Sequence, residues 1–121
     1  MVRILIIDDD PQILGMLGQI LEREGHEVVE APNGKVGLKL YRENPTDLII
    51  TDLIMPEKEG IETIMELRWD FPDVKIIAIS GGGRIEAEEY LFMAQKLGVQ
   101  RTFAKPIERA ELLKSVRELL N

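Results

Sequence analysis

The sequence predicts an α/β fold: an open, doubly wound parallel sheet of five strands with five helices packed around it. Two observations carry that expectation. Short runs rich in β-branched residues alternate five times with longer segments of helical period, which is the rhythm of parallel strands joined by crossover helices. Five such β-α units in 121 residues cannot close an eight-fold barrel, so the open sheet is the economical solution.

The first strand is read at Val2 to Ile7, where VRILII ends in an apolar run. In the helix that follows, Asp10 can cap, Pro11 suits the first turn, and Ile13, Leu14, Leu17, Ile20 and Leu21 form one apolar stripe. Gly25 can end it. The second strand, Glu27 to Glu30, is polar enough to belong at an edge. Asn33 caps a second helix carrying Val36, Leu40 and Tyr41, which stops before Pro45. The third and fourth strands, Leu48 to Thr51 and Lys75 to Ile79, are nearly continuous apolar runs and therefore central, covered on both faces. Between them, the third helix carries Ile61, Ile64 and Met65 and ends near Phe71-Pro72. A fourth helix has Ala87, Leu91, Ala94 and Leu97 on one side, with Gly98 as its stop. The fifth strand, Thr102 to Ala104, is short and goes to the other edge. The last helix repeats the pattern of the first through Leu112, Leu113, Val116, Leu119 and Leu120.

Composition narrows the function. With 45% hydrophobic residues, residues 1–121 are expected to form one domain, long enough for a single core and too short for a second. No apolar run approaches a membrane span, and residues 1 to 10 lack a basic segment followed by a long apolar core, so neither membrane insertion nor a signal peptide is expected and the cytoplasm is the expected compartment. The absence of cysteine excludes disulfides, thiol catalysis and thiolate metal sites. A net charge of −7 repels a phosphate backbone, so no direct nucleic-acid binding is expected.

Open α/β sheets place their ligand beyond the carboxyl ends of the strands. At that edge strand one ends in Asp8-Asp9-Asp10, strand three in Asp52, strand four in Ser80 and strand five in Lys105. If strands one and three are neighbours, about 4.8 Å apart, Asp8, Asp9 and Asp52 crowd together. Two carboxylates about 4 Å apart repel by roughly 4 kcal/mol at an effective dielectric near 20, so a proton or a cation must answer the charge. Turn and cap roles would explain Asp8, Asp9 and Asp10 alone; they would not explain polar residues at three further strand ends. The oxygen-rich set suits Mg²⁺. No histidine supports it, since His26 lies far along the first crossover and is read as a surface residue. Asp52 could attack a phosphoryl group, with the cation bridging Asp9, Asp52 and the phosphoryl oxygens, Lys105 adding a point charge and Ser80 a hydroxyl donor.

The motifs LIIDDD, IITDLIMP, AISGG and FAKP, in this order and at these spacings, resemble those of response regulator receiver domains of two-component signalling, over the whole chain. The resemblance implies a flavodoxin-like sheet with strand order 2-1-3-4-5. It implies Asp52 as phosphoacceptor, Asp9 as a direct Mg²⁺ ligand, Asp8 as a ligand through water and Ile54 as a ligand through its backbone carbonyl. It also implies Ser80 as the switch hydroxyl, Lys105 as the phosphate-facing lysine, a Lys105-Pro106 bond of the kind often cis in the family, and phosphorylation and dephosphorylation catalysed by the domain itself. The implied donor is a histidine kinase or a phosphotransfer protein. The implied output is a downstream protein read by the surface of helix four, strand five and helix five, where Tyr90, Phe92 and Met93 fall off the apolar side; a homodimer through helices four and five is a habit of the family. Thr102 stands where the family usually carries a switching aromatic, which puts the ring component of the switch in question. Ile54 replaces a residue often polar and is expected to limit hydrolytic water. The Gly81-Gly82-Gly83 run lacks the lysine and spacing of a nucleotide loop and is read as leaving the site open.

Two rival readings follow from the same residues. A haloacid-dehalogenase-like phosphatase would use Asp8 as nucleophile, with Asp8-x-Asp10 as its motif, and would leave Asp52 without work. A small FMN-binding flavodoxin would need a hydroxyl-rich phosphate loop where three aspartates stand.

Overall fold

In the computed structural model, residues 2–53, 59–81 and 85–120 are described, with side chains at all of these except 59, 85–88 and 90. The expectations for Ile54, for Gly82 and Gly83, and for the side chains of Ala87 and Tyr90 lie outside the described residues.

The chain alternates strand and helix throughout: β1 (Arg3–Ile7), α1 (Pro11–Arg23), β2 (Glu27–Ala31), α2 (Gly34–Glu43), β3 (Leu48–Asp52), α3 (Glu59–Asp70), β4 (Ile76–Ser80), α4 (Ile85–Lys96), β5 (Arg101–Ala104) and α5 (Arg109–Leu120). All neighbouring strands are parallel, in the order β2-β1-β3-β4-β5. The fold class and strand order are therefore those expected. Strand ends differ by a residue, because backbone pairing continues past the point where side chains turn polar. Ile7 pairs with Ala31, Asp52 with Ile79, Ser80 with Ala104, and Ile77 with Arg101. Asp52 and Ser80 are thus the last residues of their strands rather than the first beyond them.

Local signals set the helix ends. The Asp10 side chain accepts from Gln12 N–H and the Asn33 side chain from Val36 N–H, each at 2.9 Å, satisfying amides with no partner inside the helix. At the far end of α1, Gly25 adopts a φ of +90°, so its own N–H reaches Glu22 O and that of His26 reaches Leu21 O. Gly98 closes α4 in the same way.

Strand alternation divides the core in two. Leu5, Ile7, Ile49, Ile76 and Ala78 point to the face covered by α2, α3 and α4, where Tyr41, Ile61, Ile64, Leu67 and Ala94 pack. Ile4, Ile6, Leu48, Ile50, Ile77 and Ile79 point to the face covered by α1 and α5, against Leu14, Leu17, Leu21, Leu112, Leu113 and Val116. One assignment needs correction: Met65 is 53% exposed, and Leu67 takes the third core position of α3. Ile61, Ile64 and Leu67 keep an i, i+3, i+6 stripe, whereas residue 65 is rotated toward solvent with Trp69, one turn on and 87% exposed. His26 is half-buried rather than a plain surface residue, and its Nδ1 is shielded from solvent without a partner among the described residues.

Candidate functional site

Because all five strands run the same way, every strand end that the sequence makes polar arrives at one edge. Asp8 follows β1 and is buried, its backbone N–H tied to Ala31 O of β2 at 3.1 Å. Its carboxylate accepts from Asp10 N–H at 2.9 Å, which bends the chain from strand into α1 and leaves Asp9 exposed at the rim. Asp52 ends the adjacent β3 and is also buried. One carboxylate oxygen from each of Asp8, Asp9 and Asp52 lies within 4.8 Å of the others. This is the crowding expected from adjacent strands.

Lys105 answers part of that charge. Its backbone N–H donates to Ser80 O at 2.7 Å, fixing the exit of β5 beside that of β4, and the Lys105–Pro106 bond is cis. Its ammonium then reaches Asp8 Oδ2 at 3.2 Å and Asp52 Oδ2 at 3.3 Å. Burial by itself would lower the Lys105 pKa; the charges and hydrogen bonds of Asp52 and Asp8 outweigh it and raise the pKa above 10.5. For Asp8 burial dominates and raises the carboxyl above 3.8, against the Asp10 N–H and Lys105, which pull it down. Among the described residues, the Lys105 ammonium pairs with two of the three clustered carboxylates, those of Asp8 and Asp52.

Ser80 is fully buried at the end of β4, and its hydroxyl finds no hydrogen-bond partner among the described residues. Buried hydroxyls are normally paired, and Ser80 closes β4, the strand next to the one that ends in Asp52.

Thr102 is not brought to this cluster. It lies inside β5, opposite Ala78, and its hydroxyl accepts from Gln95 Nε2 of α4 at 3.1 Å. Gln95 escaped the sequence reading because a polar residue on an amphipathic helix carries no sign of its partner seven residues away. On the same helix Phe92 and Met93 are exposed, and Lys96 Nζ sits 4.8 Å from the Phe92 ring centroid. Arg101 of β5 pairs with Glu118 of α5 at 3.5 Å.

Gly60 was also missed. It is buried in the first turn of α3 against the backbone of Asp52 and Leu53. A glycine near a helix start reads as an ordinary terminus until the neighbouring strand end is placed.

Chemically, the arrangement offers hard oxygen donors for a cation, a carboxylate able to act as nucleophile, a fixed ammonium and a buried hydroxyl with no partner among the described residues. Comparison with known proteins places the chain among relatives of one family. The family described as response regulator receiver domain matches residues 4–117. The chain is 32% identical over 120 residues to the chemotaxis protein CheY of Bacillus subtilis, covering 98% of each chain. To PilH of Pseudomonas aeruginosa it is 30% identical, covering 99% of this chain and 98% of PilH. It is also 32% identical to the transcriptional regulatory protein GlrR of Escherichia coli, where it spans about a quarter of the relative's length: 97% of this chain and 26% of GlrR. Among solved structures, a response regulator receiver domain protein from Clostridium thermocellum superposes with a TM-score of 0.91 at 29% identity, covering 100% of this chain and 95% of the other.

Proposed function

The chain belongs to the response regulator receiver domain family, and from that premise we propose that it is a phosphoacceptor switch in which Asp52 takes a phosphoryl group from a histidine kinase or phosphotransfer protein. The observation that carries the reading is the meeting of Asp8, Asp9 and Asp52 within 4.8 Å beside the Lys105 ammonium. Residues 1–121 act as one receiver domain in this reading, and the cytoplasm is its compartment. No described helix is long and apolar enough to cross a membrane.

The step is a displacement at phosphorus. A carboxylate oxygen of Asp52 forms the new P–O bond as the P–N bond of a phosphohistidine breaks, and the departing imidazole takes a proton from solvent. Lys105, already within reach of Asp52, shifts its ammonium toward the phosphoryl oxygens, and Ser80 supplies a hydroxyl donor. Water attacking the same phosphorus later restores the carboxylate and releases inorganic phosphate.

The donor set fits Mg²⁺: Asp9 and Asp52 would hold the ion directly and Asp8 through water, and family membership suggests the carbonyl of Ile54, which lies outside the described residues, as a further ligand. When bound, the ion neutralises the crowded carboxylates and stabilises charge on the transferring group.

Phosphorylation adds nearly two negative charges at a buried strand end. Ser80 and its loop follow them, biasing the α4-β5-α5 surface, with exposed Phe92 and Met93, toward a downstream protein partner. Thr102, bonded to Gln95, cannot supply the rotating ring common in the family, so the surface signal rests on the loop and α4.

Incubation with Mg²⁺ and acetyl phosphate, followed by intact mass and site mapping, tests the reading. The expected result is an acyl phosphate on Asp52, lost in Asp52→Ala and retained in Asp10→Ala. Label on Asp8 with rapid turnover would instead establish the phosphatase reading. That alternative leaves Asp52 idle although it shares the cluster and the lysine.

A further inference from the structure

Gly60 stands outside the acidic cluster, yet the end of β3 rests on it. A Cβ built on Gly60 would lie 2.5 Å from Asp52 O, 2.5 Å from Leu53 Cα and 2.6 Å from Leu53 O. Non-bonded carbon atoms settle at about 3.5–4.0 Å, so a methyl group there demands a shift of roughly 1 Å. All three obstructing atoms are backbone, and no side-chain rotation can relieve them. The contrast with Gly37 is informative, because the atoms nearest its Cβ position belong to the Ile7 side chain, which can turn away.

The peptide that would have to move is the one that carries Asp52. It is pinned from its other side, since Leu53 N–H donates to Ile79 O of β4 at 2.8 Å and Asp52 pairs in register with Ile79. Strand β3 therefore leaves the sheet through a slot with β4 on one flank and the first turn of α3 on the other. Only a residue without a side chain lets the helix close that slot.

We propose that Gly60 is a positioning residue for the acidic cluster: the bare first turn of α3 clamps the Asp52–Leu53 peptide and so sets the Asp52 carboxylate at its distance from Asp8, Asp9 and Lys105. The inference rests on the proposed phosphoacceptor role of Asp52, but the clamp itself is a statement about backbone geometry and can be tested without phosphate. Misplacement of a reacting group by about 1 Å costs on the order of a hundredfold in rate. An ion shared by three carboxylates tolerates less distortion than a hydrophobic contact does.

The test uses Gly60→Ala, with Leu67→Ala as a control that removes a buried side chain about two turns further along the same helix. Four quantities are measured on the full chain: the urea midpoint, the Mg²⁺ affinity by calorimetry, amide exchange at Leu53, and the rate at which acetyl phosphate labels Asp52. Both variants lose stability. Gly60→Ala is expected in addition to weaken Mg²⁺ binding at least threefold, to speed Leu53 exchange well beyond the change in global stability, and to slow labelling of Asp52 by acetyl phosphate at least tenfold. Leu67→Ala is expected to keep the parent's Mg²⁺ affinity and labelling rate once the folded fraction is allowed for. Parent-like Mg²⁺ affinity and Leu53 exchange in folded Gly60→Ala would overturn the proposal and reduce Gly60 to a packing residue. If Gly60→Ala does not fold, the reciprocal measurement on the parent decides: Mg²⁺ must slow exchange at the Gly60 and Leu53 amides, and unchanged exchange there refutes the clamp. Failure of the parent to accept phosphate would refute the phosphoacceptor role of Asp52 while leaving the exchange result standing.

Discussion

Two residues of the site follow opposite rules of burial. Ser80 keeps a hydroxyl out of solvent with no described partner, so removing it takes away an unmet need rather than a bond. Ser80→Ala is expected to leave the unfolding free energy from urea titration within about 0.5 kcal/mol of the parent's while altering the lifetime of phosphorylated Asp52; a loss of about 2 kcal/mol or more would mean the hydroxyl is bonded in the resting fold. Asp8 is a buried carboxylate among like charges, with burial as the main cause of its raised pKa. Its favourable contribution is present below 3.8 and is lost as pH rises through the folded value. At neutral pH and without metal, Asp8→Asn should therefore raise the thermal midpoint, by roughly 4 °C for each 1 kcal/mol in a domain of this size. The same variant should bind Mg²⁺ more weakly. A calorimetric scan showing the midpoint lowered would mean that the Lys105 pair outweighs the repulsion. Asp8, Asp9, Asp52, Ser80 and Lys105 were legible in the sequence because each closes a strand. Gln95 and Gly60 were not, because their importance lies in what another element places against them.

At the scale of elements, α2 shows how a helix is held by its ends and by one aromatic anchor. Asn33 caps it, and Tyr41 packs edge-on to Phe71 at a centroid distance of 4.9 Å, joining α2 to the segment after α3. Arg42 adds an ion pair to Asp70 at 2.7 Å, exposed and of small worth. Burial first, and the Asp47 charge second, raise the Tyr41 phenol above 10.0. The unfolded chain then loses that proton at lower pH than the folded one does. The contribution is full below pH 10.0 and disappears as pH rises through the folded value. Tyr41→Phe is expected to flatten the alkaline limb of a stability-against-pH curve while changing neutral stability little; an unchanged limb would assign it wholly to lysines such as Lys105. The helices were readable where capping and stripe agreed, as in α1. They were misread at Met65, where a 3.6-residue period admits two neighbouring candidates and only packing chooses between them.

The whole molecule is one sheet between two apolar layers. Ile49 and Ile50 are adjacent in sequence, yet they serve different layers, and a strand buried on both sides couples the layers mechanically. Ile49→Ala and Ile50→Ala are each expected to cost about 2–5 kcal/mol, a large share of the roughly 5–15 kcal/mol that holds a domain. Urea unfolding followed by far-ultraviolet circular dichroism and by methyl NMR signals from either layer should give one midpoint in each variant. Separate midpoints for the two layers would show that the sheet does not make them a single cooperative unit.

What the sequence by itself determined is the alternation of elements, the parallel sense of the strands and the chemistry at their carboxyl ends, since periodicity and side-chain type are local properties that survive without coordinates. The tertiary structure alone decided the distances. It brought a lysine just beyond the last strand to within 3.3 Å of an aspartate 53 positions earlier, bound Thr102 to Gln95, and set Gly60 under the peptide of Asp52. These pairings depend on strand order and on the packing of helices across the sheet, which come from the simultaneous burial of the whole chain and leave no mark on any single segment.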